Sequence, residues 1–285
     1  MLEATGPNAE QITFWNTRGG QWVAEQTRLD RMIAQFGDAA MAALGVAPDE
    51  RVVDVGCGCG STTLALGRGV GADGEVLGID LSEAMLARAR ERAAAAGVRN
   101  VRFVAADAQT HAFPPGRSDA LFSRFGVMFF VEPAAAFANL RRALRPGGRL
   151  AFVCWQPLQA NPWMRVPLMA AAQIVPLQPP PPPDAPGPFS FGDRDRVHRF
   201  LAAAGFRDVA CEAFAPPITV GGGGDLDASV DFVLHAIGPT SAALRDAPAD
   251  VVAKARAAVR EALLPFATPQ GIILPSAAWI VSASS

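Results

Sequence analysis

Tyrosine is absent from the 285 residues, so no phenol can serve as an acid, a base or a hydrogen-bond donor in this chain. An excess of charge is also missing, because 25 basic residues stand against 27 acidic ones and leave a net charge of -2. Without a strongly basic surface, nucleic acid is not expected as the main partner. No stretch approaches the roughly 20 uninterrupted apolar residues that span a bilayer, so we expect no membrane span.

Cysteine is scarce, and the four residues are Cys57, Cys59, Cys154 and Cys211. The first two flank a glycine, but the other two supply no second close pair, so we predict no metal site. We interpret the close pair as small side chains that fill tight space. Scattered cysteines fit a reducing compartment, and the N-terminus has no basic-then-apolar signal pattern, so the sequence predicts a cytoplasmic protein.

The chain does have a strand-like run that is followed at once by closely spaced glycines. Residues 51–55 read Arg-Val-Val-Asp-Val, and β-branched side chains in such a run are typical of a strand buried on both faces. Gly56, Gly58 and Gly60 come next, where glycine lets the backbone turn sharply and lets a ligand lie against bare peptide. A helix predicted from Ser61 would point its first N–H groups at that ligand.

The spacing of these glycines separates two kinds of nucleotide loop. The dinucleotide fingerprint G-x-G-x-x-G would need its third glycine at Ser61, so that pattern is matched only in part. Instead, Asp54 stands two residues before Gly56, and the stretch reads D-x-G-x-G-x-G. Thr62 lies at the predicted helix start, where it could cap a carboxylate of the ligand.

A second carboxylate, Asp80, ends the next predicted strand at residues 75–80. An acid about 20 residues beyond the glycines of a nucleotide site reaches the ribose hydroxyls. The alternative is an acid at the start of the helix that Ser82 begins. Met85, in the first turn of that helix, would lie beside a purine face or else belong to the core.

Further polar residues follow the third and fourth predicted strands. Asp107 follows the third strand, and its carboxylate can accept from the exocyclic amine of adenine. His111 comes four residues later, and a lone histidine in a loop is more often structural than catalytic. Arg124 lies at the carboxyl end of the fourth strand, the edge where open α/β sheets bind ligands. It either pairs with an acid such as Glu132 or clamps a carboxylate of substrate or cofactor.

Strand and helix patterns alternate from 51 to 155, which predicts a parallel sheet with helices on both faces. Residues 1–9 are polar and are expected to fray, and the aromatic residues that follow would form either packing or a lid over a ligand. Amphipathic spacing predicts helices at about 23–36, 38–44, 164–174, 193–204, 226–237 and 248–264, and strands at 209–214 and 277–283. The proline-rich tract at 176–188 predicts a stiff surface connector, with partner binding as the alternative.

Taken in order, these pieces resemble the class I S-adenosylmethionine-dependent methyltransferases, in the ubiquinone/menaquinone-biosynthesis-like group that acts on small molecules. The resemblance covers about residues 11–285 and is carried by 53–60, 78–82, 106–108 and 145–148. It implies a doubly wound, Rossmann-like α/β fold with seven strands, mostly parallel, whose last strand is antiparallel. The implied regions are an N-terminal helical lid at 1–45, a core at 46–215, a small helical cap insertion at 216–270 and a final core strand at 271–285.

The resemblance also implies the cofactor, S-adenosyl-L-methionine, and transfer of its methyl group to a small-molecule acceptor by direct in-line displacement. The residues implied for cofactor binding are Asp54, Gly56, Cys57, Gly58, Thr62, Asp80, Leu81, Met85, Asp107, Ala108 and Ser123. Those expected to shape the acceptor pocket are Phe14, Trp15, Trp22, Trp155, Asn161 and Trp163. Phe14 stands where many relatives have tyrosine, which removes one hydroxyl contact.

Several alternatives stay open at the level of sequence. The candidates for a catalytic role are His111 and Arg124, and His198 or His235 could also serve as a base, but no pattern selects one. The chain could instead be an NAD(P)-dependent Rossmann oxidoreductase, or a non-catalytic protein that binds S-adenosylmethionine. The acceptor, the atom that is methylated and the oligomeric state, monomer or homodimer, are not fixed.

Overall fold

The computed structural model describes residues 2–236 and 238–285. Its strands are β1 Arg51–Val55, β2 Glu75–Asp80, β3 Val101–Ala105, β4 Ser118–Arg124, β5 Leu144–Trp155, β6 Arg207–Phe214, β7 Ile218–Thr219, β8 Ala267–Thr268, β9 Gly271–Leu274 and β10 Ala278–Ser284. Its α-helices are α1 Ala9–Ala24, α2 Gln26–Leu44, α3 Ser61–Val70, α4 Glu83–Ala95, α5 Pro133–Ala143, α6 Pro162–Ala171, α7 Arg194–Ala203, α8 Leu226–His235, α9 Pro239–Leu244 and α10 Ala249–Leu263.

Seven strands form the central sheet, in the order β3-β2-β1-β4-β5-β10-β6. The strands from β3 to β5 run parallel, and β10 pairs antiparallel with both β5 and β6. The predicted α/β fold, seven-stranded and mostly parallel with an antiparallel last strand, is therefore confirmed. The strand order reverses direction between β1 and β4, and such a switch point is where open α/β sheets bind ligands.

At this switch point the loops that follow β1 and β4 touch through their backbones. A Cβ built on Gly56 would lie 2.6 Å from the Cα of Gly126, and one built on Gly126 would lie 2.7 Å from the Cα of Gly56. No side chain fits between the two loops. Ser123, at the end of β4, adds a bond by donating its hydroxyl to the carbonyl of Val55 over 2.7 Å.

The N-terminal region is more regular than the sequence predicted. Residues 9–24 form α1, which packs on α4, and the two predicted helices at 23–36 and 38–44 are one helix, α2. Gly19 and Gly20 both lie inside α1. Gly19 packs closely on the start of α4, because a Cβ built on it would meet the hydroxyl oxygen of Ser82 and would lie 3.2 Å from the Ser82 Cβ.

Beyond β6, helices α8, α9 and α10 surround a second, three-stranded sheet in the order β7-β9-β8. Helix α10 packs on both α6 and α8. Residues Gly271–Leu274 pair with β7 in this small sheet, and the last strand of the central sheet begins at Ala278. The short helix α9 had no counterpart in the expected pattern. The boundaries proposed for a lid, core and cap remain predictions.

Arg28 of α2 joins the central domain to this helical segment. Its Nε donates to the carbonyl of Gly221 over 3.1 Å, and its Nη2 donates to the carbonyl of Ala228 over 2.8 Å. The guanidinium also lies 4.8 Å from the ring centroid of Phe232, a cation–π distance. Helix α2 is thereby bound on one side to the sheet and on the other to the segment after β6.

The proline-rich tract at 176–188 carries neither helix nor strand and is largely exposed. Arg196 of α7 donates to the carbonyls of Pro183 and Asp184 over 3.1 and 3.2 Å, and Gly187 donates its N–H to the carbonyl of Met128. The tract is thus fastened along the surface of the protein. Across the described ranges, no helix has the length and hydrophobicity that a membrane crossing requires.

The loop contact at Gly126 predicts a large and specific effect of one methyl group. Gly126 has ordinary helical dihedrals, so Gly126→Ala adds no backbone strain, but its Cβ would meet Gly56 and the Val55 carbonyl at 2.7 Å. We expect a loss of about 1–3 kcal/mol in the free energy of unfolding, measured by urea denaturation. Gly20→Ala is the control, because its Cβ meets nothing within 4 Å inside α1.

That control is expected to gain about 0.5–1 kcal/mol, as an alanine does over glycine in a helix. A Gly126→Ala variant as stable as the wild type would show that the loops after β1 and β4 are not in contact.

Candidate functional site

The candidate site lies at the carboxyl ends of β1 to β4, around the loop at residues 56–60. Two glycines of this loop have no room for a side chain. A Cβ built on Gly56 would meet Gly126, and a Cβ built on Gly60 would lie 2.8 Å from Ala89. Gly58 is different: at φ +52° its built Cβ meets only Met85 Sδ and Trp22 Nε1, both at 3.9 Å. Gly58 is therefore the least crowded of the three glycines, and it lies between a thioether and an indole.

Asp54 is fully buried at the end of β1. Its Oδ2 accepts from the hydroxyls of Thr62 and Thr63 over 2.8 and 2.6 Å, while Oδ1 has no hydrogen-bond partner in the part of the chain that is described. Burial raises the pKa of Asp54 to about 6, against the pull of the two threonine bonds. A buried oxygen without a donor is costly, so this atom calls for a donor from a ligand or from water.

Asp80 ends β2 and binds the glycine loop directly. Its Oδ2 accepts from the N–H of Gly58 over 2.8 Å, and its Oδ1 accepts from the N–H of Ser82 over 2.9 Å. Burial raises the pKa of Asp80, and the backbone donors at Ser82, Gly58 and Leu81 oppose that rise. The carboxylate thus fixes Gly58 in place and starts α4, and each oxygen keeps acceptor capacity for a ligand.

Asp107 follows β3 and has a partner that no local sequence pattern indicated. Its Oδ1 accepts from the side-chain amide of Asn8 over 2.8 Å and from the N–H of Gln109 over 2.9 Å. Asn8 is only 2% exposed, so the expectation that residues 1–9 fray is wrong at this position. Asn8 precedes α1 as its N-cap residue but makes no side-chain cap bond, because its side chain turns to Asp107 instead.

Two hydroxyls predicted to touch the cofactor are occupied inside the protein. Thr62 donates its hydrogen to Asp54, so it cannot also donate that hydrogen to a carboxylate of a ligand. Ser123 donates to Val55 and accepts from the N–H groups of Gly126 and Val127 over 3.2 and 3.3 Å. Both residues hold the loops that form the site. Whether either contacts a ligand stays a prediction.

The other predicted neighbours of the cofactor lie around the same loop. Met85 is buried in the first turn of α4, and Leu81 and Ala108 directly follow Asp80 and Asp107. Cys57 is buried too, and burial raises the pKa of its thiol, so it behaves as a small neutral side chain.

Arg124 pairs with an acid, as one of its two interpretations expected, but the acid is Asp30 rather than Glu132. Its Nη2 lies 3.2 Å from Asp30 Oδ1, and Arg92 of α4 lies 2.9 Å from the other oxygen of the same carboxylate. One carboxylate on α2 thus bridges two guanidinium groups, from β4 and from α4. The role of Arg124 as a clamp for a ligand carboxylate remains a prediction.

The aromatic residues predicted to shape an acceptor pocket divide into two groups. Phe14, Trp15 and Trp22 lie half-buried on α1 and form a row, with ring centroids 5.2 Å apart in the first pair and 5.7 Å in the second. Trp15 also meets Phe129 edge-on at 4.9 Å. This first group covers the side of the site where Trp22 approaches Gly58.

The second aromatic group is built into the core behind the sheet edge. Trp155 stacks on Phe125 with centroids 4.1 Å apart, and Trp163 lies 5.3 Å from Trp155. Phe125 has φ +62°, a conformation that costs free energy for a residue with a side chain and often marks a functional site. The stack on Trp155 holds this strained residue immediately after Arg124.

Asn161 is fully buried, and internal hydrogen bonds occupy its polar atoms. Its amide donates to the carbonyls of Gln156, Pro157 and Ala277, and its oxygen accepts from Trp163 Nε1 and from the N–H of Ala277. It therefore anchors the loop after β5 to the start of β10. This structural role explains why an asparagine is needed here without any ligand.

The three histidines lie on separate elements. His111 follows Asp107, meets Phe113 edge-on at 4.7 Å, and has its pKa lowered by burial. His198 lies on α7, and His235 is exposed at the end of α8, where Nδ1 lies 3.0 Å from the carbonyl of Asp231. Of the three, only His111 lies on a loop at the site edge of the sheet.

Comparison with known proteins shows what part of the chain carries this arrangement. Residues 52–148 match the family model of a methyltransferase domain. Over 103 residues the chain is 37% identical to aklanonic acid methyltransferase DauC of Streptomyces sp. strain C5, covering 36% of this chain and 47% of that protein. Over 107 residues it is 41% identical to the ubiquinone/menaquinone biosynthesis C-methyltransferase UbiE of Azotobacter vinelandii, covering 37% and 42%.

The match thus spans less than half the length of these two relatives. Among solved structures, the YcgJ protein of Bacillus subtilis superimposes with a TM-score of 0.59 at 19% identity, covering 88% of this chain and 98% of that one. At that identity the likeness shows the fold. The predicted resemblance to class I methyltransferases is confirmed, and it is carried by the segment from β1 to the turn at Gly148.

Asp54 predicts a pH dependence of stability whose sign can be worked out. Because its pKa is about 6 in the folded protein against 3.8 for an ordinary aspartate, the folded state binds the proton more tightly between those values. The free energy of unfolding should therefore fall as pH rises from about 4 to 6, by about 1.4 kcal/mol per unit of pKa difference.

The measurement is urea unfolding at pH 4, 5, 6 and 7 for the wild type and for Asp54→Asn. The fall should be steeper in the wild type than in the variant, because Asp80, whose pKa burial also raises, titrates in both proteins. Parallel profiles for the two proteins would contradict a raised pKa at Asp54.

Proposed function

We propose that this chain is an S-adenosylmethionine-dependent methyltransferase that methylates a small molecule. The observation that carries the proposal is the glycine loop flanked by Met85 and Trp22 at Gly58, together with a buried oxygen of Asp54 that has no partner among the described residues, at the end of the adjoining strand. A flat purine with an attached cationic chain has the chemistry that such a site would bind. The matched methyltransferase domain covers these same residues apart from Trp22.

The donor and acceptor groups of the site also fit this cofactor. Asp54 Oδ1 would accept from the ammonium of the methionine part, because a cation compensates a buried carboxylate best. Asp80 has acceptor capacity for two ribose hydroxyls, and Asp107 Oδ2, whose one bond among the described residues is from Thr110 over 3.4 Å, has capacity for the adenine amine. The ammonium, the ribose hydroxyls and the adenine amine thus each have a partner of the complementary kind.

When bound, S-adenosylmethionine supplies a methyl group already activated by a positively charged sulfur. What the protein must add is position: it holds the acceptor in line with that methyl group and keeps water away. Correct placement of two reactants can contribute about 7–11 kcal/mol of the barrier. Helix α1, with Trp15 and Trp22, covers the loop, and the strained Phe125 stacked on Trp155 forms a rigid wall at the end of β4.

An acceptor that must lose a proton would need a base, and His111 is the one histidine on a loop at this edge of the sheet. Burial lowers the pKa of His111, so its imidazole is neutral and able to accept a proton at pH 7. The names of the two relatives denote aklanonic acid and quinone biosynthesis, which supports a small organic acceptor here. All four cysteines are free thiols, in keeping with the predicted cytoplasmic setting.

The decisive test is calorimetric titration of the full chain with S-adenosylmethionine, S-adenosylhomocysteine, NADH and NADPH. We expect saturable binding of the first two only. Saturable binding of a nicotinamide nucleotide alone would overturn the proposal in favour of an oxidoreductase. Methyl-labelled cofactor with a panel of small phenols, quinones and acids then tests catalysis, and binding without any turnover would favour a non-catalytic binding protein.

Asp80 gives a sharper test of the cofactor site. Asp80→Ala should weaken S-adenosylhomocysteine binding by about 1.5–3 kcal/mol, because charge-assisted hydrogen bonds are lost, which is roughly 10- to 150-fold in Kd. Asp73→Ala is the matched control, since Asp73 is exposed in the turn before β2. Equal affinities of wild type and Asp80→Ala would rule out the ribose assignment.

A further inference from the structure

The N-terminal helix is fastened over the site by a polar contact at its first turn. Asn8 lies directly before α1, is 2% exposed, and donates its amide to Asp107, 99 positions later in the chain. Its own oxygen accepts from the N–H of Val131 over 3.0 Å. Asn8 is thus a buried asparagine whose amide and oxygen both have partners, although residues 3–7 directly before it are exposed.

The two carboxylate oxygens of Asp107 differ in the number and length of their hydrogen bonds. Oδ1 accepts two well-formed bonds, from Asn8 and Gln109, at 2.8 and 2.9 Å. Oδ2 has only the hydroxyl of Thr110 at 3.4 Å, a long and weak bond. With Oδ1 held on one side, the carboxylate cannot rotate freely, and Oδ2 is the oxygen left for a further donor.

The rest of α1 lies along the same edge of the sheet. Gly19 rests against Ser82, which follows Asp80, and Trp15 meets Phe129 in the loop after β4. Ser82 Oγ is buried and has no partner within the described residues, so the helix covers it without bonding to it. Asn8 is therefore the polar contact between this helix and a carboxylate of the site.

We propose that Asn8 is a positioning residue for the adenine end of the cofactor, an inference that rests on the proposed function. By holding Oδ1 of Asp107, Asn8 presents Oδ2 to the exocyclic amine. Because Asn8 directly precedes α1, packing of this helix over the site and binding of the adenine amine by Asp107 are coupled. Each of the two favours the other by the same free energy.

A contact that only holds α1 closed would affect ligand binding differently from a contact that orients the carboxylate of Asp107. A helix that is merely held closed helps every ligand beneath it, with or without the amine. A carboxylate held for the amine helps only ligands that carry the amine. The two roles are therefore separated by an analogue of S-adenosylhomocysteine in which hydrogen replaces the exocyclic amine.

The experiment measures Kd by calorimetry for S-adenosylhomocysteine and for this desamino analogue, with wild type and Asn8→Ala. We expect Asn8→Ala to weaken S-adenosylhomocysteine about tenfold, and to change the affinity for the analogue less than twofold. In an Asp107→Ala background, Asn8→Ala should have no further effect, because the two residues act through one contact. Asn8→Ser, which suits the N-cap position of α1 but is too short to repeat the bond to Asp107, should repeat the loss if Asn8→Ala folds poorly.

Gly20→Ala serves as the control on the same helix, because its added methyl group faces open space, and it should leave both affinities unchanged. Equal weakening of both ligands by Asn8→Ala, or no weakening of either, overturns the positioning role. A wild type that binds neither ligand overturns the proposed function instead, so the two failures are distinguishable.

Discussion

The close crossing of two backbone loops is the constraint on which the candidate site depends. Gly56 and Gly126 approach so closely that neither can carry a side chain, and Ser123 bonds to the backbone on both sides of the crossing. The loops after β1 and β4 therefore keep one fixed separation. Gly58 is held in turn by Asp80, so the backbone of the glycine loop is fixed by contacts within the protein.

The parts of this arrangement that follow from local patterns could be predicted from the sequence. The β-branched run of β1, the glycine spacing and the acid that ends β2 depend on neighbours within about 25 residues, and the parallel pairing of strands followed from alternating elements. The amphipathic stripe of α2 was visible in the same way, although it was divided into two helices. The antiparallel last strand came from the resemblance to a known family, and neither the strand order nor the bond between Asp80 and the N–H of Gly58 was predicted.

The contacts that the sequence could not indicate join residues far apart in the chain. Asn8 meets Asp107, and Asp30 meets Arg124, across about a hundred residues, and no periodicity reports such pairs. The contact of Gly19 with Ser82 was not predicted either, because it joins two elements that lie far apart in the chain. Glycines that are needed for tertiary contact carry the same local signal as glycines that end a helix.

The hydrogen bonds of Arg28 affect which substitutions the segment after β6 can tolerate. Arg28 holds the segment after β6 mainly through two backbone carbonyls, at Gly221 and Ala228, which exist whatever side chains surround them. Substitutions in α8 to α10 can therefore accumulate over evolutionary time without loosening the attachment.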